Sequence, residues 1–324
     1  MHLMKCGKAK MENEKVAVII PCYNEAITIG KVVDDFKREL PNADIYVYDN
    51  NSSDDTAKIA KEHGAIVRTE TRQGKGRVVR QMTRDITADY YVMVDGDDTY
   101  PAEAVHDLLK PLRDNMADMT IGDRLSNGSY GDENDRAFHG LGNNLVRWLI
   151  KLIYKFEFND VMTGYRAYNT VFAKALPILS PGFQIETELS IHAVDKSWRI
   201  VEVPIDYRDR PEGSESKLST FGDGFKVIMM IMSLFKEYRP LMLFGIIAII
   251  CFILGLICGI PVIIDYVNTG FVARFPTAIL ALGFMLFALL NLITGWILSS
   301  VVKGQRMQYE IEVNRIYDTY GKAK

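Results

Sequence analysis

The tetrad Asp95-Gly96-Asp97-Asp98 closes an apolar run, Tyr90 to Val94, and gathers the side chains best suited to chemistry in this chain. Successive side chains of a strand point to opposite faces, so Asp95 and Asp97 are expected on one side where the strand ends. Two carboxylates held that close repel unless positive charge lies between them, and a hard divalent cation carrying phosphate oxygens supplies it. Mg²⁺ or Mn²⁺ suits an oxygen-rich, partly hydrated site. The five histidines are scattered and no Cys/His cluster has zinc spacing.

Two further groups follow apolar runs. Pro21-Cys22-Tyr23-Asn24-Glu25 comes after Val16 to Ile20, and Asp49-Asn50-Asn51-Ser52-Ser53-Asp54 after Ile45 to Tyr48. Short acid and amide side chains match the imide and hydroxyl groups of a nucleoside. They are equally the common turn residues, and Ser53 or Asp54 stands where it could cap the next helix. In Arg72-Gln73-Gly74-Lys75-Gly76-Arg77, two glycines lie among three cations just before a helix. That setting suits a diphosphate, although the spacing is not that of a Walker loop.

These residues need a scaffold, and the pattern supplies one. Val16–Ile20, Ile45–Tyr48, Ala65–Thr69, Tyr90–Val94 and Met119–Ile121 read as strands, with helices near Ile27–Leu40, Asp54–His63, Gly76–Ile86 and Ala102–Asn115. This alternation predicts a mostly parallel sheet with helices on both faces, whose ligands bind at the carboxyl ends of the strands. The 324 residues allow more than one domain, and the hydrophobic share, 48%, is unevenly spread. Leu241–Ile264 and Pro276–Val302 run 24 and 27 residues without a charge. At about 1.5 Å per residue, each spans a hydrocarbon core of roughly 30 Å. Asn144–Phe158 and Phe221–Phe235 carry apolar stripes at helical spacing, read as core-packing or interfacial helices.

Met1–Lys15 is polar and basic, so no signal peptide is expected and the soluble part is assigned to the cytosol. Lys236, Arg239, Lys303 and Arg306 flank the apolar segments, while the loop between them has only Asp265 and Arg274. Both termini are therefore expected to be cytosolic. Cys6 and Cys22 lie far in sequence from Cys251 and Cys258, and the last two read as small helix residues, as in a reducing compartment. The net charge of −3 says little about partners.

Taken together, these residues resemble the family 2 glycosyltransferases of GT-A fold, and within them the polyprenyl-phosphate and dolichyl-phosphate sugar synthases. The match runs roughly from Val16 to Lys226. It implies an α/β, Rossmann-like GT-A domain followed by a C-terminal transmembrane helical hairpin. The expected division is a tail, 1–15; the catalytic domain, 16–217; a juxtamembrane amphipathic helix, 218–240; two transmembrane helices, 241–264 and 276–302; and a cytosolic tail, 303–324. By resemblance, Asp95 and Asp97 form the metal motif, Asp97 the more direct ligand and Asp98 a further candidate. Pro21, Tyr23, Asn24, Glu25, Asp49, Asn51, Gly74, Lys75, Asp95 and Gly96 would hold the nucleotide-sugar donor. The family's usual Asp-Asp-Gly-Ser reads Asp49-Asn50-Asn51-Ser52 here, which leaves the base open between uridine and guanosine. Gly122-Asp123-Arg124, Arg136 and the segment Asp160–Arg166 lie where the acceptor is chosen. The stretch Tyr207–Leu218 is similar to the family's Arg-x-x-Gly-x-Ser-Lys loop. Arg124, Arg136, Arg210, Ser216 and Lys217 would grip the acceptor phosphate, and Asp97, Arg124, Arg210 and Lys217 would carry catalysis.

The activity so implied is inverting transfer of a hexose from a nucleotide sugar, UDP-glucose favoured, to a polyprenyl phosphate, for cell-envelope or glycoconjugate assembly. GDP-mannose and UDP-N-acetylhexosamine are rival donors. A phosphate monoester has a second pKa of about 6 and is largely ionised at pH 7, so no general base is required. A hydroxyl acceptor would need one, such as Asp98 or Glu186. Processive synthases carry Gln-x-x-Arg-Trp, where this chain has Lys196-Ser197-Trp198-Arg199. A non-catalytic membrane scaffold with a GT-A shell is the remaining reading, opposed by the intact Asp95, Asp97, Arg210 and Lys217. The expected partners are the nucleotide sugar, the polyprenyl phosphate and the membrane, with no nucleic acid; self-association through the transmembrane or juxtamembrane helices is also open.

Overall fold

A computed structural model describes residues 14–126, 147–208, 210–211, 229, 232–233, 235–236 and 238–321. The chain divides into two units, Met1–Ile228 with Val313–Lys324, and Met229–Glu312.

The first unit is built on seven strands. They are β1 (Val16–Cys22), β2 (Asp44–Asp49), β3 (Ile66–Thr69), β4 (Tyr90–Met93), β5 (Met119–Asp123), β6 (Arg166–Asn169) and β7 (Ile200–Pro204), in the order β3-β2-β1-β4-β6-β5-β7. β1 is apolar along nearly its whole length and almost wholly buried, as a central strand covered on both faces must be. It pairs in parallel with β2 on one side and β4 on the other, so the chain switches direction across the sheet between β1 and β4. Ligand crevices of α/β sheets open at such a switch.

Helices α1 (Ile29–Glu39), α2 (Thr56–Glu62), α3 (Lys75–Asp85) and α4 (Val105–Arg113) connect the parallel strands. α1 buries Ile29, Val32, Val33 and Phe36, and α4 buries Val105, Leu108, Leu109 and Leu112. Both sets recur at i, i+3, i+4 and i+7, one stripe facing the sheet. Asn50, 5% exposed, ties the end of β2 to the loop before α3. Its Nδ2 donates to Glu70 O at 2.8 Å and Arg72 O at 3.0 Å, and its Oδ1 accepts from Gly74 N at 2.7 Å.

The sheet is mixed. β6 runs antiparallel to both β4 and β5, and β7 is parallel to β5. The sequence reading named the first five strands but not β6 or β7, nor the helices α5 (Thr170–Ala175) and α6 (Ile185–Asp195) beside them. β6 has only four residues and begins with a charge, Arg166, that is fully buried. Tertiary contacts hold it: Arg166 Nε donates to Thr163 O at 3.1 Å and Nη2 to Val161 O at 2.7 Å, while Tyr168 stacks on its cross-strand partner Tyr91 at 5.6 Å. The stripe expected over 144–158 is helical across 147–154, with Trp148 and Leu152 exposed. Most of 221–235 lies outside the described residues.

The second unit contains α7 (Pro240–Thr269) and the greater part of α8 (Phe275–Tyr320). Each is long and apolar enough to cross a membrane. Their large apolar side chains face outward, Ile257 being 62% and Leu290 60% exposed, unlike a buried soluble hairpin. Asn291, Thr294 and Ser300 donate to the carbonyls four residues earlier, leaving these polar side chains satisfied within the helix. α7 begins with Pro240 and stops at Gly270, whose φ of +73° suits glycine. α8 continues past Val302 to Tyr320, so the expected tail is helical over most of its length.

Asn50→Ala removes three hydrogen bonds of one buried side chain at once. At about 1 kcal/mol each, the variant should lose about 2–3 kcal/mol in chemical denaturation, with faster amide exchange at Gly74; wild-type values in both would refute this role.

Candidate active site

Three strand ends meet around one buried thiol. Burial, then the carboxylates of Glu25, Asp49, Asp95 and Asp97, push the pKa of Cys22 well above its ordinary value. Glu25 follows β1, Asp49 ends β2 and Asp95 and Asp97 follow β4, so the loops that the sequence placed at one crevice do converge there.

β4 stops at Met93, and the acids that follow lie in a bend rather than on the strand itself. Thr28 Oγ1 donates to Gly96 O at 2.6 Å and fixes the bend to the loop before α1. Asp97 is 4% exposed; its Oδ1 accepts from Thr99 Oγ1 at 2.7 Å, and its Oδ2 lies 2.5 Å from Arg210 Nη2. Asp95 Oδ1 lies 2.5 Å from Lys75 Nζ. Its other oxygen faces Gly164, where an added Cβ would come within 2.3 Å of it. Any side chain at 164 would therefore displace Asp95. Asp98, at φ +58°, turns to Lys31 of α1 at 2.6 Å.

Electrostatics follow from this crowding. Burial, and next the neighbouring Asp95, raise the pKa of Asp97 despite Arg210 and Thr99. Burial disfavours the Lys75 ammonium, but Asp95 and Glu186 outweigh it and hold its pKa above the usual lysine value. Glu186, 2.5 Å from Lys75, sits in the first turn of α6.

The glycines flanking Lys75 face protein. A Cβ at Gly74, whose φ is +135°, would lie 2.0 Å from Pro181 O, and one at Gly76 would lie 2.0 Å from Ser180 O. The approaching segment is held by Glu188, which accepts from Leu179 N and Ser180 N at 2.9 Å each. The close approach expected for a diphosphate is thus made by the 180–182 backbone, and Lys75 is directed inward.

Much of the nucleoside-type cluster performs turn chemistry. Asp49 accepts from Ser52 N, Asn24 Oδ1 from Ser53 N at 2.8 Å, and Asp54 Oδ1 from Thr56 N at 3.0 Å beside α2. Asn24 and Asn51 both have positive φ, 55° and 63°. Glu25 N donates to Thr56 Oγ1 at 2.8 Å, and Tyr23, after Pro21 and Cys22 of β1, is 38% exposed. These bonds lace the loops after β1 and β2 together.

On the other side of the bend, Tyr207 meets Tyr100 edge-on at 5.6 Å, and Arg208 N donates to Thr99 O at 2.9 Å. This lays Arg210 against Asp97. Arg124 forms a buried fork with Asp160, Nε–Oδ2 2.6 Å and Nη2–Oδ1 3.1 Å, and its guanidinium lies 5.2 Å from the Tyr207 ring centre. Arg136, Ser216 and Lys217 lie outside the described residues.

Among the described residues no group of three or more His, Cys, Asp or Glu could hold a metal ion. Asp95 and Asp97 nevertheless fit one end of a divalent-cation site. Both are oxygen donors, and they are close enough for one to raise the other's proton affinity. Their shell would need oxygens from a bound diphosphate and water. Sequence reasoning did not assign Lys31, Thr28 or Tyr100 to this region; Glu186 it named only as a base for a hydroxyl acceptor, and the structure places it on Lys75.

With its pKa raised, little Cys22 thiolate exists at pH 8. Alkylation of Cys22, followed by peptide mass spectrometry, should be much slower in the native chain than after urea unfolding. Equal rates would mean that the thiol is open and the carboxylates do not surround it.

The glycosyl transferase family 2 model matches residues 17–175. Glycosyltransferase AglJ of Haloferax volcanii is 33% identical over 233 residues, covering 72% of this chain and 76% of that protein. The dolichyl-phosphate hexose transferase of the same organism is 30% identical over 226 residues, covering 70% of this chain and 96% of that protein. The crystal structure of glucosyl-3-phosphoglycerate synthase from Mycobacterium tuberculosis, in complex with Mn²⁺, UDP and glucosyl-3-phosphoglycerate, shares the fold. It has a TM-score of 0.59 at 22% identity, covering 69% of this chain and 81% of that one. The chain, a GT-A-like mixed sheet followed by two long apolar helices, belongs to glycosyl transferase family 2.

Proposed function

We propose that the protein transfers a hexose, with inversion, from UDP-glucose to a polyprenyl phosphate at a membrane surface. The observation that carries this reading is the array of paired charges at the strand ends, Lys75 on Asp95 and Arg210 on Asp97. Carboxylates and cations arranged in this way can exchange partners with a diphosphate and its counter-ion. The 30% identity to a dolichyl-phosphate hexose transferase, over 96% of that protein, supports the lipid phosphate acceptor. The two apolar helices support a membrane setting. UDP and Mn²⁺ in the crystals of the mycobacterial synthase favour a uridine donor and a divalent cation.

In this reading Pro21, Tyr23, Asn24, Glu25, Asp49, Asn51 and Gly96 line the donor. Asp95 and Asp97 would hold Mg²⁺ or Mn²⁺, whose charge stabilises the departing diphosphate. Arg210, with Arg124, Arg136, Ser216 and Lys217, would orient the acceptor phosphate. One phosphate oxygen attacks the anomeric carbon as the bond to the nucleoside diphosphate breaks on the opposite face. The nucleophile is already an anion, so positioning and charge stabilisation replace a protein base. Both termini would lie in the cytosol, because Lys236, Arg239, Lys303 and Arg306 flank the helices. Asp265 in the last turns of α7 and Arg274 just before α8 pair with each other at 3.0 Å.

Incubation with a panel of nucleotide sugars and short polyprenyl phosphates, read by mass spectrometry, should yield polyprenyl-phosphate hexose from UDP-glucose. Chelator should stop the reaction until Mg²⁺ or Mn²⁺ returns, and Asp97→Asn should lower turnover by roughly 100-fold or more while staying folded. Full activity of that variant in chelator would remove the metal from the reading.

The acidic limb of kcat/KM should follow the acceptor's second ionisation, near pH 6, with activity falling as lower pH protonates the nucleophile. A phosphonate acceptor of different second pKa should move the limb accordingly. A limb that ignores the acceptor and shifts with Asp98→Asn or Glu186→Gln would favour a protein base and a hydroxyl acceptor.

A further inference from the structure

Lys75 is held between two carboxylates of unequal openness. Its Nζ lies 2.5 Å from Asp95 Oδ1 and 2.5 Å from Glu186 Oε1. The Asp95 side chain is 26% exposed and the Glu186 side chain 7%. Neither Lys75 nor Glu186 has much room to withdraw. Lys75 opens α3, where Gly74 and Gly76 press on the 180–182 backbone, and Glu186 opens α6, whose Glu188 grips Leu179 N and Ser180 N. The beginnings of the two helices are thus tied together through one short loop, with the ammonium between them.

This placement bears on a cation at Asp95. A divalent ion ligated there competes with the lysine ammonium for the charge of that carboxylate, and a buried ammonium left without a counter-charge is strongly unfavourable. We propose that Glu186 is a positioning residue that retains Lys75 when Asp95 turns to a divalent cation, so that Asp95 changes partners without leaving a buried charge unpaired. The inference rests on the reading of Asp95 and Asp97 as metal ligands. Glu186 itself makes no contact with the metal in this scheme; it acts through the lysine, as groups outside a coordination shell tune the ligands within it. With Glu186 neutral, the ammonium would stay on Asp95 and compete with the ion.

The test is Mn²⁺ binding by the full chain in detergent at saturating UDP, read against the same UDP without protein and followed by the electron paramagnetic resonance signal of free Mn²⁺. Glu186→Gln should raise the Mn²⁺ dissociation constant by about tenfold or more. Adding Lys75→Met to that variant removes the competitor and should return the constant to the wild-type value or below. A purely structural Glu186 would leave the constant unchanged in Glu186→Gln, and a Glu186 that ligates the ion would leave the double variant as weak as the single; either result overturns the proposal. Should Glu186→Gln not fold, Glu186→Asp decides, since it withdraws the charge by one methylene. Its affinity must fall below wild type and recover with Lys75→Met, and any other pattern overturns the proposal. A wild type that takes up no Mn²⁺ would instead remove the metal-ligand reading on which the proposal stands.

Discussion

Glu25, Asp49, Asp95 and Asp97, at the ends of β1, β2 and β4, all raise the pKa of the buried Cys22 thiol, Asp95 raises that of Asp97, and carboxylates gathered in this way repel unless cations reach them. The surrounding chain is organised to bring those cations in. Lys75 arrives from the first turn of α3, Lys31 from α1, and Arg210 from the segment after β7. The tetrad Asp95–Asp98 is thereby met from three elements distant in sequence. A site balanced in this way can receive a metal–diphosphate pair by exchanging counter-ions, which is less costly than desolvating isolated charges.

Close backbone approach is the second condition. Gly74, Gly76 and Gly164 stand where any Cβ would strike Pro181 O, Ser180 O or Asp95 itself. The absence of side chains there lets the loop 180–182 and the start of β6 close on the acids, and Glu188 and Arg166 fasten those segments through backbone groups. The reversed strand β6 extends the sheet from β4 to β5 and carries Gly164 and Tyr165 in beside the site. Tyr100 packs against both Tyr165 and Tyr207, and Gly164 N donates to Tyr100 OH at 2.9 Å.

The five strands β1 to β5 and the four helices between them were legible in the order of residues, because period-2 and period-3.6 apolar patterns are local properties of the chain. The two long apolar helices were legible for the same reason, since length and lack of charge suffice for that assignment. So were the acids at the strand ends, as strand termination and residue type are both written in the order of residues. The fold decided β6: four residues with a buried arginine at one end carry no periodic signal, and they become a strand because β4 and β5 offer hydrogen-bonding edges, whereas β7, Ile-Val-Glu-Val-Pro, carries a β-branched strand signal that the sequence reading passed over. The fold also decided partners. Lys75 meeting Glu186, Arg210 meeting Asp97 and Lys31 meeting Asp98 join residues 111, 113 and 67 positions apart, respectively. No local rule encodes such distances; they arise from the winding of the chain across the sheet.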